Sequence, residues 1–232
     1  KNQVGLMAEI GILVSIIAVF LKGSAAARAL YGGVPFLLGA VCLVLSSSAT
    51  SVLSLGVTLF VLGGFFVVGI LPRLFRWVGV AGFIGFVGVI GIILYAMDLQ
   101  IFKLVLEGFG KSTTLTGRTY LWEAGIEVAK ERPFLGHGYN AVWVPGNPVA
   151  EAFWAKFLIE GKSGFNFHSI LIEWFVSLGG AGLVMICALF SVVILGAVRA
   201  IVRQGITPFN AFILAFAVMF LVRAFVEVDL NG

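Results

Sequence analysis

Two short polar runs interrupt an otherwise oily chain: Thr116-Gly117-Arg118-Thr119-Tyr120-Leu121-Trp122 and Phe167-His168-Ser169-Ile170-Leu171-Ile172-Glu173. Arg118 carries a permanent charge on a planar fork of donors that matches phosphate oxygens two at a time. At the start of a helix it would add to the positive end of the backbone dipole and make an anion site. Pairing with Glu123 or with lipid head groups is the competing use of that side chain. His168 titrates near neutrality, so its neutral ring can take a proton from a hydroxyl and its charged ring can bind phosphate. The plainer reading is a structural histidine at an interface. Glu173 enters an apolar run, where an ionisable group is costly and is usually paired or functional. Arg223 is one partner for it across a helix bundle, and Arg223 with Glu227, one turn apart, is another pair. Ser48 and Thr50 complete the set, in the hydroxyl-rich turn Ser46-Ser47-Ser48-Ala49-Thr50. His137, between Gly136 and Gly138, is a weaker second histidine. No cluster has zinc-ligand spacing, so no metal is expected.

These residues need a scaffold, and composition says which. Of 232 residues, 60% are hydrophobic and only 11% charged, against about 25% charged in soluble domains. The mean hydropathy is +1.11. The expected fold is all-α and polytopic. Roughly six runs approach the ~20 apolar residues that cross a bilayer, near 4–21, 29–47, 50–71, 78–97, 168–198 and 208–228. The fifth exceeds a span and should tilt or protrude. The organisation expected is four spans over 1–97, a loop module over 98–167 and two spans over 168–232. The net charge of +4 implies no nucleic-acid partner in such a chain; the lipid bilayer is the partner. Cys42 and Cys187 fall in apolar runs and read as packing residues. A chain that begins at Lys1 and stops at Gly232 beyond an apolar run reads as a fragment of a longer membrane protein.

Three short connections orient the bundle. Lys22 and Arg28, Arg73 and Arg76, and Arg199 and Arg203 fall between successive pairs of spans, with no acid among them. Basic residues in short loops stay cytoplasmic, and the three agree because they alternate. The serine turn, the long loop and the Glu227 tail then face the other side. Five glycines of the fourth run, Gly79, Gly82, Gly85, Gly88 and Gly91, recur every third residue and are expected to serve close helix packing.

Within the loop, 99–109 is expected to be an interfacial helix, and Thr116 to cap a second helix running to Glu131 before Pro133 stops it. Leu121, Trp122, Gly125 and Val128 share its inner face, with Glu123, Glu127, Lys130 and Glu131 toward water. The stretch from Trp143 to Gly164 reads as a membrane-dipping flap or an irregular connector with interfacial aromatics.

In order and spacing, these motifs resemble those of the O-antigen ligase and polymerase superfamily. The serine turn, Thr116-Gly117-Arg118 with Leu121-Trp122, Pro133-Phe134-Leu135-Gly136-His137-Gly138, and His168-Ser169 with Leu171 and Gly179 carry the likeness. The tail Arg223-Ala224-Phe225-Val226-Glu227-Val228-Asp229 is most similar to the ExoQ-like exopolysaccharide-polymerase branch. The resemblance implies a C-type glycosyltransferase fold in the bacterial inner membrane, active on its periplasmic face without metal or other cofactor. Its substrates would be a polyprenyl-diphosphate-linked oligosaccharide and a glycan acceptor, with other polysaccharide assembly proteins as partners. By that likeness Arg118 would bind the donor diphosphate and His168 would orient or deprotonate the acceptor. Arg223, Ser48, Thr50, Glu173 and Glu227 would help to bind substrate. Many relatives carry a basic residue where this chain has Ala49. A lipid-linked oligosaccharide flippase and a non-catalytic assembly subunit are the alternatives.

Overall fold

The computed structural model describes residues 2–19, 24–96, 118–163, 165–225 and 227, and among these there is no strand. In chain order the helices are α1 (Asn2–Ala18), α2 (Ala25–Ser46), α3 (Ala49–Ile70), α4 (Arg76–Ala96), α5 (Arg118–Glu131), α6 (Pro148–Lys156), α7 (Ile170–Gln204) and α8 (Pro208–Ala224). The expected interfacial helix at 99–109 and the Thr116 cap lie outside the described residues. Four stretches are long and apolar enough to cross a bilayer: Ala25–Ser46, Ala49–Ile70, Arg73–Ile92 and Ile170–Gln204. The other two apolar helices, α1 and α8, have 17 residues each. At ~1.5 Å per residue they reach about 25 Å, just short of a ~30 Å hydrocarbon core.

The chain divides into two compact units. One holds Lys1–Thr113 and Ser191–Val222; the other holds Thr114–Phe190 and Arg223–Gly232.

In the first unit, α2 lies against α1 where side chains are smallest. A Cβ on Gly39 would stand 3.0 Å from the Ala8 carbonyl oxygen, and one on Gly32 3.3 Å from that of Ser15. Small residues let backbones approach, which is how helices gain contact in lipid. The glycine spiral of α4 behaves otherwise. Among the described residues nothing comes within 4 Å of a Cβ on Gly82, Gly85, Gly88 or Gly91, whereas Gly79 packs against Leu71 and Val68. A three-residue step drifts around the helix, so the five glycines do not form one seam for a single neighbouring helix. The cysteines also depart from expectation: Cys42 and Cys187 are exposed on the outer faces of their helices.

The connections of this unit are tied by polar groups. Arg76 donates through Nε to the Leu71 carbonyl (2.9 Å) and through Nη1 to that of Val202 (3.1 Å). It thereby satisfies an end carbonyl of α7 and joins the α3–α4 and α7–α8 connections at one end of the bundle. Thr207 caps α8 in a reciprocal box: Asn210 N–H donates to Thr207 Oγ1 (3.2 Å), and Thr207 N–H to Asn210 Oδ1 (2.8 Å). Pro208 then occupies the first helical turn, where its missing N–H costs nothing. Phe65, Val68, Val80, Ile201 and Leu214 form the core beneath.

The second unit is built around aromatics. Leu121, Val128 and Ala129 of α5 meet Val142, Phe153, Phe167 and Val176, while Glu123, Glu127, Lys130 and Glu131 are exposed. The segment expected to be a flap or an irregular connector contains the helix α6. Asn147 caps it by accepting from the Val149 N–H (2.9 Å), with Pro148 in its first turn. Phe153 and Trp154 are buried, each such side chain contributing about 1.5–3 kcal/mol. Alternating Pro, Gly and aromatic residues masked that short helix, because its apolar face is filled by Phe and Trp rather than by a periodic aliphatic stripe.

α7 is broken at Gly179, where φ is 65°. The break is closed by the turn that follows α5. His137 and Gly138 N–H donate to the carbonyls of Val176 and Ser177 (2.9 Å each), and Gly180 and Ala181 N–H donate to those of Pro133 (2.7 Å) and Phe134 (3.2 Å). These are the carbonyls and amides that a helix loses at such a point, so both sides of the break are paired.

Candidate functional site

Arg118 is the first residue of α5, where the dipole favours anions. Its Nη2 lies 2.9 Å from Glu227 Oε1, with side chains only 13% and 5% exposed. Sequence reasoning weighed Glu123 and lipid as partners for Arg118, and Arg223 for Glu227; the structure adds a pair that it did not weigh, Arg118 with Glu227. Arg223 is 1% exposed, and its carbonyl accepts the Glu227 N–H (2.7 Å), so backbone brings these two residues together.

His168 lies just outside α7, in a left-handed turn with φ of 53°. Its N–H donates to Asn166 Oδ1 (2.9 Å), and its ring meets Phe165 edge-on at 6.2 Å. The next residues fasten this turn to the tail. Ser169 Oγ donates to the Ala224 carbonyl (3.2 Å), and Ile170 N–H to that of Glu227 (3.2 Å). Burial holds the imidazole below its ordinary pKa; the Arg118 guanidinium lowers it further and the Glu227 carboxylate opposes them. These causes favour the neutral ring, the form that can accept a proton.

Glu173, 2% exposed, accepts from Trp143 Nε1 (2.9 Å) and from the Phe167 N–H (3.0 Å). Its carboxylate thus anchors the residue before His168. His137, set aside in the sequence, has its Nε2 2.9 Å from the Val128 carbonyl, where it fastens the turn to α5.

Ser48 and Thr50 belong to the other unit. Ser48 is the N-cap of α3, its Oγ accepting from the Ser51 N–H (3.4 Å) and lying 3.2 Å from Ser51 Oγ. Thr50 is half-buried in the first turn of α3. Ser51, Ser54 and Thr58 continue along one wholly buried face of that helix. Sequence reasoning passed over Glu9, which is midway along α1 and fully buried. One acid within a 17-residue apolar run was the available signal. Among the described residues no group of three His, Cys, Asp or Glu converges as metal ligands.

The family model described as "O-Antigen ligase" matches residues 34–187. The chain belongs to the O-antigen ligase family. The match includes Arg118, His168 and Glu173, and leaves Arg223 and Glu227 outside it. Exopolysaccharide production protein ExoQ of Rhizobium meliloti (strain 1021) is 36% identical over 231 residues, covering 99% of this chain and 52% of that protein. The chain therefore spans about half the length of the curated relative that it matches. Its family and its long apolar helices make this member of the O-antigen ligase family a multi-pass membrane protein.

Proposed function

We propose that the chain is part of a bacterial inner-membrane glycosyltransferase of the C-type fold, with six spans including α1 and α8. It polymerises or ligates polysaccharide repeat units, and its active face is periplasmic. The donor is a polyprenyl-diphosphate-linked oligosaccharide, the acceptor a glycan hydroxyl, and the product an exopolysaccharide or related polymer. The observation that carries the reading is the convergence of Arg118, Glu227 and His168 in one largely buried cluster. Family membership and the likeness to the Rhizobium protein support this class of reaction.

The chemistry follows from the groups present. The acceptor oxygen attacks the anomeric carbon, and the carbon–oxygen bond to the diphosphate breaks. The electron pair leaves on the diphosphate, where the Arg118 guanidinium at the α5 N-terminus stabilises it. His168 takes the hydroxyl proton. Glu227 fixes the plane of the guanidinium, and Arg223 supports the same tail. Ser48 and Thr50 assist substrate binding from the serine turn. No metal or other cofactor is required by these steps, and other polysaccharide assembly proteins act beside the enzyme.

Arg118→Ala and His168→Ala should each abolish polymer elongation while the protein inserts normally. Product of wild-type length from both variants would overturn the site. Glu9, an acid buried midway along an apolar helix, favours a second reading, transport of the lipid-linked oligosaccharide. Movement of labelled lipid in liposomes without glycan transfer would select it.

A further inference from the structure

Phe134 and Leu135 form the tip of the turn after α5, and their side chains are 81% and 79% exposed. Such a pair on a loose loop would carry little meaning, but this tip cannot retract. The four backbone hydrogen bonds that close the α7 break hold it. Gly136 and Gly179 bring the two backbones into contact: a Cβ on Gly179 would stand 2.3 Å from the Phe134 carbonyl carbon.

The tip meets α7 where the long apolar part of that helix begins. From Gly180 to Gln204 the helix has about 25 residues, or roughly 37 Å, enough by itself to cross a bilayer. Ala181, whose N–H the Phe134 carbonyl accepts, starts an outer face that continues through Val184 and Met185 at helical spacing, both more than 60% exposed. The apolar tip is thus continuous with the lipid-facing side of a membrane helix. Exposed Arg132 and Tyr139 flank it, residue types that settle at the head-group level.

We infer that Phe134 and Leu135 are a fixed anchor inserted into the outer edge of the lipid hydrocarbon, holding the second unit at a set height on the bilayer. Ile170–Leu178 adds no more than about 14 Å of helix between that level and the His168 turn. The anchor therefore keeps the cluster within reach of head groups. This inference stands whatever reaction the cluster performs.

Spin labels on the whole protein in liposomes test it. With Cys42 and Cys187 replaced by Ala, labels at Leu135→Cys and, separately, Phe134→Cys should favour collision with oxygen over a water-soluble nickel chelate. The ratio should match that at native Cys187, a lipid-facing position left in a C42A control, and exceed several-fold that at Glu127→Cys on the exposed face of α5. A ratio like that at Glu127, meaning water, would overturn the anchor. Low collision with both reagents, meaning a covering protein segment, would overturn it as well.

Discussion

At the scale of single residues, the cluster is defined by how burial and two charges constrain one ring. Because burial and Arg118 depress the His168 pKa while Glu227 raises it, activity should fall on the acid side with a midpoint below the ordinary ~6.5. Glu227→Gln should move that midpoint further down, and Arg118→Gln, where residual activity permits measurement, should move it up. The same shift makes an acid-side stability loss. The unfolded chain takes up the proton first, so His168's contribution is complete above the unfolded pKa and declines as pH falls below it. A pH–rate profile of each variant, with the ring followed by NMR, checks both signs; an upward shift in Glu227→Gln would contradict this electrostatic arrangement. Glu173 acts one step further back. Glu173→Gln turns one of its two acceptors into a donor facing N–H groups, which should cost about 1–3 kcal/mol. Activity should fall with no new acid limb, measurable by thermal unfolding beside the rate. The residue types were legible in the sequence because charge in an oily chain is conspicuous. Their pairing was not: Arg118 and Glu227 are 109 positions apart, and no local periodicity links a helix start to a distant tail.

At the scale of elements, the sequence showed α5 and its buried face, since Leu121, Gly125 and Val128 repeat at helical spacing. It hid α6, and it hid the break in α7, because Gly179-Gly180 inside an apolar run reads as ordinary membrane-helix glycine. Conformation and space separate the glycines. Gly179 has positive φ and backbone where a Cβ would go, whereas Gly88 is helical and faces open space. Gly179→Ala should therefore destabilise the protein by more than the ~1–3 kcal/mol of backbone strain alone. Gly136→Ala should behave alike, its Cβ meeting the Ser177 carbonyl carbon at 2.4 Å. Gly88→Ala should be neutral or stabilising by up to about 1 kcal/mol, from helix propensity. Melting temperatures of the three purified variants in one detergent decide the matter. Equal losses at Gly88 and Gly179 would mean that the stitched break is not what holds the turn.

At the scale of the whole molecule, the argument concerns sidedness. Charge in the short connections orients the chain from sequence alone, and Arg76 adds a physical link, since one guanidinium reaches carbonyls beside both the α3–α4 and the α7–α8 connections. Two basic connections at one end of a bundle belong on one membrane side, and by the basic-loop rule we propose that this side is cytoplasmic. On the proposed six-span topology α6 belongs to the opposite side. Glu151, held in α6 by Lys162 Nζ (2.6 Å) and the Gly146 N–H (3.0 Å), should lie on the periplasmic side. In cells making the protein with Cys42, Cys187 and any further native cysteine replaced, an impermeant maleimide added from outside should label Glu160→Cys, an exposed position after α6 that leaves this pairing intact. It should leave Arg203→Cys unlabelled until the membrane is opened. Arg203 is exposed in the last turn of α7, so failure to react from outside would reflect sidedness rather than burial. Labelling of both positions from the same side would overturn the proposed topology and, with it, the proposal that Arg118 and His168 work at the periplasmic surface.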